Sequence, residues 1–348
     1  MKQEDSTSTI SKSTNKFGLT RADYKSHPST LCTGCGHDSI TTQLINALYN
    51  LDISPYDIAK LSGIGCASKT PAYFLSQSHG FNSIHGRMAP IATGVHLANS
   101  NLKLIGVSGD GDTASIGLGG FAHMVRRNVP ILYIMANNGV YGLTKGQFSA
   151  TATETHKTKK GEFPNSKPID ICRLALELGC GFVARSFSGD IKQMQTILSA
   201  ALRFNGTAVI DIISPCVTYA NHEGSTKSYD FAKLHLSSYQ EMEFLKHDEI
   251  QQIDSKENEV SEVLWPDGSR LRLKKSSSDI TNQPLDICMK ALRDAEDQDQ
   301  ILTGIFRLKQ NQKTLSEKLN INDSLYTLSE KDLRIPKDKF KKLMSEFG

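Results

Sequence analysis

No apolar run in the 348 residues approaches the about 20 needed to cross a bilayer. The opening stretch, MKQEDSTSTISKSTNK, has no hydrophobic core of the kind a secretory signal requires. Arginine is absent before Arg21, and Glu4 and Asp5 are acidic, which does not support an amphipathic transit peptide. Neither sign of charge is in excess. The formal net charge is +3, so nothing draws the chain to nucleic acid or to a membrane surface. Internal repeats are also missing. These absences lead to the expectation of a cytoplasmic protein with no nucleic-acid and no membrane partner. Cysteine is sparse and odd in number, seven in all, which in a reducing compartment suits metal ligands and core thiols better than disulfides.

What is present centres on Gly109 to Gln147. Leu102 to Val107 has the length of a buried strand and runs into the turn Gly109-Asp110-Gly111-Asp112. Ala114, Leu118, Phe121 and Val125 then recur at helical spacing, and Pro130 ends the helix. Ile131 to Met135 is a second strand, ending at Asn137-Asn138-Gly139. A strand, a helix and a strand form a βαβ unit whose two strands are parallel, so Asp110 and Asn138 reach the same sheet edge. A carboxylate, an amide oxygen and a nearby backbone carbonyl are hard ligands suited to Mg²⁺, which keeps positions open for phosphate oxygens. The helix start at Thr113 favours an anion. An ordinary βα turn would also hold Gly and Asp. The pairing of GDGD with NN at the next strand end decides for Mg²⁺ plus a diphosphate, and resembles the thiamine diphosphate signature.

Helices and strands alternate from Asp57 to Cys216, which predicts a doubly wound α/β fold with a mostly parallel sheet. Strands are expected at Asp57–Ser62, Phe182–Phe187 and Thr207–Ile213. Helices are expected from His37 through Leu51 and at Ala89–Ala98, Asp170–Leu178 and Asp190–Phe204. Phe148 to Lys167 reads as a mobile polar loop. The predicted organisation is a disordered tail over 1–22, an α/β domain over 23–220, and a charged, helix-rich extension over 221–348. That extension includes a hairpin in Val263–Leu273 turning at Asp267-Gly268.

Cys32 and Cys35 form a CxxC, and Cys66 and Cys216 each follow a predicted strand. Cys172, Cys180 and Cys288 lie on or beside helices as core thiols. Four thiolates in loops suit structural zinc or an iron–sulfur cluster, and spacing does not separate the two. A carbanion-generating cofactor beside them gives a cluster a task, the removal of electrons one at a time.

CTGCGH, GIGCASKTP, HGR, GDGD, NNGVYGLTKGQ and SPCVTY follow one another between Tyr24 and Lys233. In that order they resemble the β subunit of the 2-oxoacid:ferredoxin oxidoreductases. The resemblance implies a thiamine diphosphate-binding fold and a [4Fe–4S] cluster on Cys32, Cys35, Cys66 and Cys216. It implies Mg²⁺ on Asp110, Asn138 and the carbonyl of Val140. Gly111, Asp112, Gly142 and Leu143 would meet the diphosphate, and Ile64, Gly65, Cys66, Ala67 and His85 would line the thiamine site. Lys69 and Lys145 match positions near the substrate in members that accept 2-oxoglutarate. It further implies CoA-dependent oxidation of a 2-oxoacid, ferredoxin as electron acceptor, and an α subunit that supplies the catalytic glutamate. A non-oxidative thiamine diphosphate-dependent decarboxylase or synthase subunit is the alternative, and it has no use for the four cysteines.

Overall fold

The computed structural model describes residues 14–246, 260–274, 283–321 and 323–347. In chain order the first elements are α1 (Gly36–Asn50), β1 (Ile58–Ser62), β2 (His79–Asn82), α2 (Met88–Ala98), β3 (Lys103–Gly109) and α3 (Leu118–Arg127). Next come β4 (Ile131–Asn137), the short pair β5 (Val140–Tyr141) and β6 (Gln147–Phe148), α4 (Ile171–Glu177), β7 (Phe182–Phe187), α5 (Ile191–Arg203) and β8 (Thr207–Ile213). The chain continues through α6 (Tyr229–His235), β9 (Leu236–Ser238), β10 (Glu241–Leu245), β11 (Val260–Leu264), β12 (Arg270–Lys274), α7 (Leu285–Asp297) and β13 (Ile301–Leu308). It closes with α8 (Leu315–Lys318), α9 (Glu330–Leu333) and α10 (Lys337–Ser345).

An eight-stranded sheet with the order β2-β1-β3-β4-β8-β7-β13-β9 forms the framework. From β2 through β7 every pairing is parallel. β13 runs antiparallel to β7 and parallel to β9. Both faces are covered, and alternation along each strand shows how. In β4, Leu132, Ile134 and Ala136 pack into one core with α1 and α5, while Ile131, Tyr133 and Met135 enter a second core with α2, α3, α4 and α7. A central strand buried on both sides reads as a continuous apolar run, which is why β4 and β8 were visible in the sequence. From β1 the chain steps outward to β2, then returns to the other side of β1 as β3. Connections leaving in opposite directions open a crevice at the strands' carboxyl ends, the position where such sheets hold ligands.

β7 and β8 match their expected bounds, and β11 pairs antiparallel with β12 around Asp267 and Gly268. Three expectations change, and one strand, β2, was not foreseen. β13 lies in the stretch taken as helix-rich, yet it enters the main sheet with Leu302, Ile305, Phe306 and Leu308 buried. Its apolar run is short and flanked by charge, so its periodicity is masked, and the sheet extends well past residue 220. β2 is an edge strand with all four residues exposed, so it has no apolar signal. Residues 14–22, expected to be disordered, are held by the Asn15 side chain, which accepts from Phe17 N and Leu19 N and donates to the Tyr24 hydroxyl. The remainder of that tail lies outside the described residues. The segment after β6 is not a free loop either, because Ser149, Thr151, Ala152 and His156 are buried.

Candidate active site

Three strand ends meet in the crevice. The loop after β1 brings Ile64, Gly65, Cys66 and Ala67. The turn after β3 brings Asp110, Gly111 and Asp112. The segment after β4 brings Asn138, Val140, Gly142 and Leu143. All of these, together with His85, line one cavity of about 80 Å³. The sequence-predicted cofactor and Mg²⁺ residues are therefore gathered in one place.

Asp110 is 2% exposed. Its Oδ2 accepts from Gly139 N (2.9 Å), from Thr151 Oγ1 (2.7 Å) and from the Ser149 hydroxyl in a short contact. Burial pushes its carboxyl above the ordinary aspartate range, although the Ser149 and Thr151 hydroxyls pull the other way. A buried carboxylate in that position gains from a cation. Asn138 is likewise buried, and its Oδ1 accepts from Val140 N at 3.1 Å. Gly139 has a φ of +76°, a left-handed value that puts Asn138 and Val140 on one tight turn.

Asp112 has a different task. Its Oδ1 accepts from Ile64 N (3.2 Å) and Gly86 N (2.7 Å) and lies 2.5 Å from His85 Nδ1; its Oδ2 accepts from Ser108 Oγ at 2.6 Å. The carboxylate thus ties together the loops after β1, β2 and β3, and faces them rather than an anion. The segment Gly111–Ile116 is a π-helical turn, with Gly117 N bonded to Asp112 O at 2.9 Å. The expected helix start at Thr113 is thus replaced by this wider turn, with α3 following at Leu118. Such turns concentrate at functional sites.

The cysteines flank this cavity. Cys66 lies in its wall. A Cβ placed on Gly142 would stand 3.6 Å from both the Cys66 and the Cys216 sulfur, so the two sulfurs lie within twice that distance of each other. Burial pushes the Cys35 thiol up to about 12; the His37 backbone N–H pulls it down, and the nearby Cys216 and Cys66 add to the rise. Burial also raises the Cys66 thiol, with Cys216 and Cys32 adding to the rise and Lys69 opposing it. Cys32 is exposed, and the Thr218 hydroxyl donates to its sulfur at 3.4 Å. Among the described residues no three His, Cys, Asp or Glu side chains are close enough for a single metal ion. Zinc would need sulfurs about 4 Å apart, given Zn–S bonds near 2.3 Å. Cys172, Cys180 and Cys288 are buried, and their thiols donate to the carbonyls of Ala184, of Phe182 and Thr207, and of Phe306.

Lys69 and Lys145 are exposed and do not line the cavity. Sequence reasoning missed His37, Tyr141 and Thr144 in the wall, and Ser149 and Thr151 behind Asp110. His37 sits in the first turn of α1, 2.6 Å from Ser214 Oγ through Nδ1, and burial lowers its pKa to about 4, so it is neutral. Its place directly after CxxCG was the one available hint. A larger cavity of about 540 Å³ lies on the far side of Asn137 and Thr151, lined by Asp170, Arg185, Asp211 and Lys227. None of the expected site residues lines it, so its size does not make it the site.

Comparison with known proteins agrees with this geometry. Residues 63–212 match the thiamine pyrophosphate enzyme C-terminal TPP-binding domain. The 2-oxoglutarate synthase subunit KorB of Methanocaldococcus jannaschii is 33% identical over 193 residues, 55% of this chain and 71% of that one. The 2-oxoacid:ferredoxin oxidoreductase subunit beta of Saccharolobus solfataricus is 40% identical over 199 residues, 57% of this chain and 65% of that one. Subunit beta of the Aeropyrum pernix 2-oxoacid:ferredoxin oxidoreductase 1 is 42% identical, the match spanning 54% of this chain and 59% of that one. The chain thus spans just under two thirds of the length of these last two relatives. A solved chain of the 2-oxoglutarate:ferredoxin oxidoreductase from Magnetococcus marinus, with 2-oxoglutarate, coenzyme A and succinyl-CoA bound, superposes with a TM-score of 0.71 at 27% identity, covering 93% of this chain and 96% of that chain. On a relative matched over more than two thirds of its length and on a common fold, the chain belongs to the family of 2-oxoacid:ferredoxin oxidoreductase β subunits.

Proposed function

We propose that this chain is the β half of a complex that oxidises a 2-oxoacid, 2-oxoglutarate foremost, to CO₂ and its acyl-CoA, and hands the electrons through a [4Fe–4S] cluster to ferredoxin. The observation that carries the reading is the shared wall. Gly142 lines the cofactor cavity, and the Cys66 and Cys216 sulfurs stand behind it at equal distance. Electrons leaving the cofactor have only this wall to cross.

The residues fit the groups. Asp110, Asn138 and the Val140 carbonyl are oxygen ligands suited to Mg²⁺. Gly111, Asp112 through its backbone, Gly142 and Leu143 would hold the diphosphate, with Ile64, Gly65, Cys66, Ala67 and His85 around the thiamine. Cys32, Cys35, Cys66 and Cys216 would hold the cluster, whose thiolates stand farther apart than around a single ion. When bound, thiamine diphosphate supplies a nucleophilic carbon and an electron sink for decarboxylation. The chain's own work is to fix these groups, and Asp112 does this by keeping three loops in register. Lys69 and Lys145 offer exposed cations for the second carboxylate of a dicarboxylic substrate.

The cavity is too small to enclose the cofactor, since ligand pockets run to about 300–1,000 Å³. Ile64 and Leu143 line it and are exposed, and Ile84, next to the lining His85, is exposed as well. An apolar rim around half a pocket supports an α subunit that closes the other half and supplies the catalytic glutamate. Anaerobic purification tests the cluster. A brown protein with about four irons per chain and dithionite-bleached absorption near ~400 nm is expected; a colourless, zinc-bearing one would overturn it.

A further inference from the structure

Asp110 Oδ2 is held from the side away from the cofactor cavity by the Ser149 and Thr151 hydroxyls. The Thr151 hydroxyl lies 2.7 Å from Asp110 Oδ2, to which its single proton goes, and its oxygen packs 2.9 Å from Asn137 Oδ1 with no second proton between them. Asn137 Nδ2 donates to Asp211 Oδ1 at 2.9 Å, which fixes the amide orientation because an oxygen there would face an oxygen. Arg185 then bridges Asp211 Oδ2 and Asp170 Oδ1, each at 2.8 Å. Asp170 caps α4, accepting from Cys172 N at 2.8 Å and Arg173 N at 3.1 Å. Asp110, Thr151, Asn137 and Asp211 are all at most 3% exposed.

We propose that the hydroxyl relay of Ser149 and Thr151 sets Asp110 for its cation, with Thr151 as the positioning residue. The inference rests on the Mg²⁺ reading of Asp110 and adds to it. Oδ2 is held by Gly139 N, Ser149 and Thr151, so the plane of the carboxylate is fixed. Oδ1 takes no hydrogen bond from any other described residue and is the oxygen left for the metal. The Gly139 contact extends the arrangement, because Gly139 lies between Asn138 and Val140, the other two ligands. The expected ligands are therefore placed together by the contacts that Asp110 Oδ2 and Asn138 Oδ1 make with the Gly139–Val140 turn. A cation entering a preset site loses less of its binding free energy to ordering ligands. Partners that orient a metal ligand typically change affinity 10–100-fold when removed.

Mn²⁺ binding, followed by electron paramagnetic resonance on the chain assembled with its partner and thiamine diphosphate, tests the proposal. Thr151→Val keeps the shape and removes the hydroxyl. It is expected to weaken Mn²⁺ by about 10–100-fold, with Thr151→Ser restoring the parent affinity. Parent-like Mn²⁺ binding in Thr151→Val, alongside loss in Asp110→Asn, would overturn the relay and leave Asp110 in place. Parent-like binding in both would instead remove the Mg²⁺ reading. Affinity lost to the same extent in Thr151→Ser, which keeps the hydroxyl, would make Thr151 merely structural. Should Thr151→Val not fold, Thr151→Ala is read the same way, and unchanged Mn²⁺ affinity in it would equally overturn the relay.

Discussion

Replacing Gly63 by alanine should damage the protein far beyond the size of one methyl group. An added Cβ would lie 1.9 Å from Asp112 Oδ2, 2.5 Å from its Cγ and 2.6 Å from Oδ1. Ordinary contact is about 3.5 Å, so the carboxylate must retreat by roughly 1.5 Å. Its four partners, Ile64 N, His85, Gly86 N and Ser108, stand at 2.5–3.2 Å and cannot all follow, since they come from two separate loops and from strand β3. Hydrogen bonds to a charged group contribute about 1.5–3 kcal/mol each. Losing two of them costs roughly 3–6 kcal/mol, a large part of the about 5–15 kcal/mol that holds a domain folded. Gly63 does not have a positive φ, so the clash and not backbone strain would be the cause. Urea unfolding of the parent and Gly63→Ala, with Asp112→Ala and the double variant, measures this. The double variant should be no less stable than Asp112→Ala, because the methyl then has room. A loss below about 1 kcal/mol in Gly63→Ala would refute the reasoning, because Asp112 would then move without cost.

Cys216→Ala should lose iron and unfold more readily, while Cys172→Ala keeps the parent iron content; equal iron loss would remove Cys216 from the cluster. Lys145→Met should raise KM for 2-oxoglutarate more than for pyruvate, and a uniform change would assign the lysine to the fold or the cofactor. Burial alone would raise the Asp170 pKa, but Arg185 outweighs it and holds the carboxyl below the ordinary aspartate value. A carboxyl depressed in the folded state stabilises fully above the unfolded pKa of about 3.9, and the gain disappears as pH falls through the lower folded value. Arg185→Gln removes the cation that Asp170 and Asp211 share and leaves Asp170 only the longer contact from Arg173 at 3.6 Å, a loss of about 3–5 kcal/mol near neutrality. Its stability should then recover as pH falls toward 5, whereas the parent's Asp170 contribution is undiminished there; parallel pH profiles would contradict the assignment.

The central fold was legible wherever burial produces a pattern. β4 and β8 are apolar on both faces, and Gly and Asp punctuate the ends of β3 and β4. Elements whose signal comes from their neighbours were hidden. The exposed edge strand β2 has no apolar face, and β13 is recognisable as a strand only once β7 stands beside it. The side chains expected at Mg²⁺ were visible because Asp110 and Asn138 each follow directly on a strand, β3 and β4. Their support was not. Ser149 and Thr151 lie in a polar stretch that reads as a loop, and only the folded backbone turns their hydroxyls onto Asp110. Asp112 reads as a diphosphate contact in the motif, but four hydrogen bonds show its carboxylate joining loops.

Turnover with and without the partner subunit tests the central claim, that this chain holds one half of a thiamine diphosphate site beside an electron-accepting cluster. The chain is purified without oxygen and reconstituted with iron, sulfide, Mg²⁺ and thiamine diphosphate. Reduction of a viologen dye by 2-oxoglutarate and CoA is then followed. The account predicts no turnover by the chain alone and CoA-dependent turnover once the α subunit is added. Substantial turnover by the chain alone would contradict it, because the catalytic acid would then lie within these 348 residues.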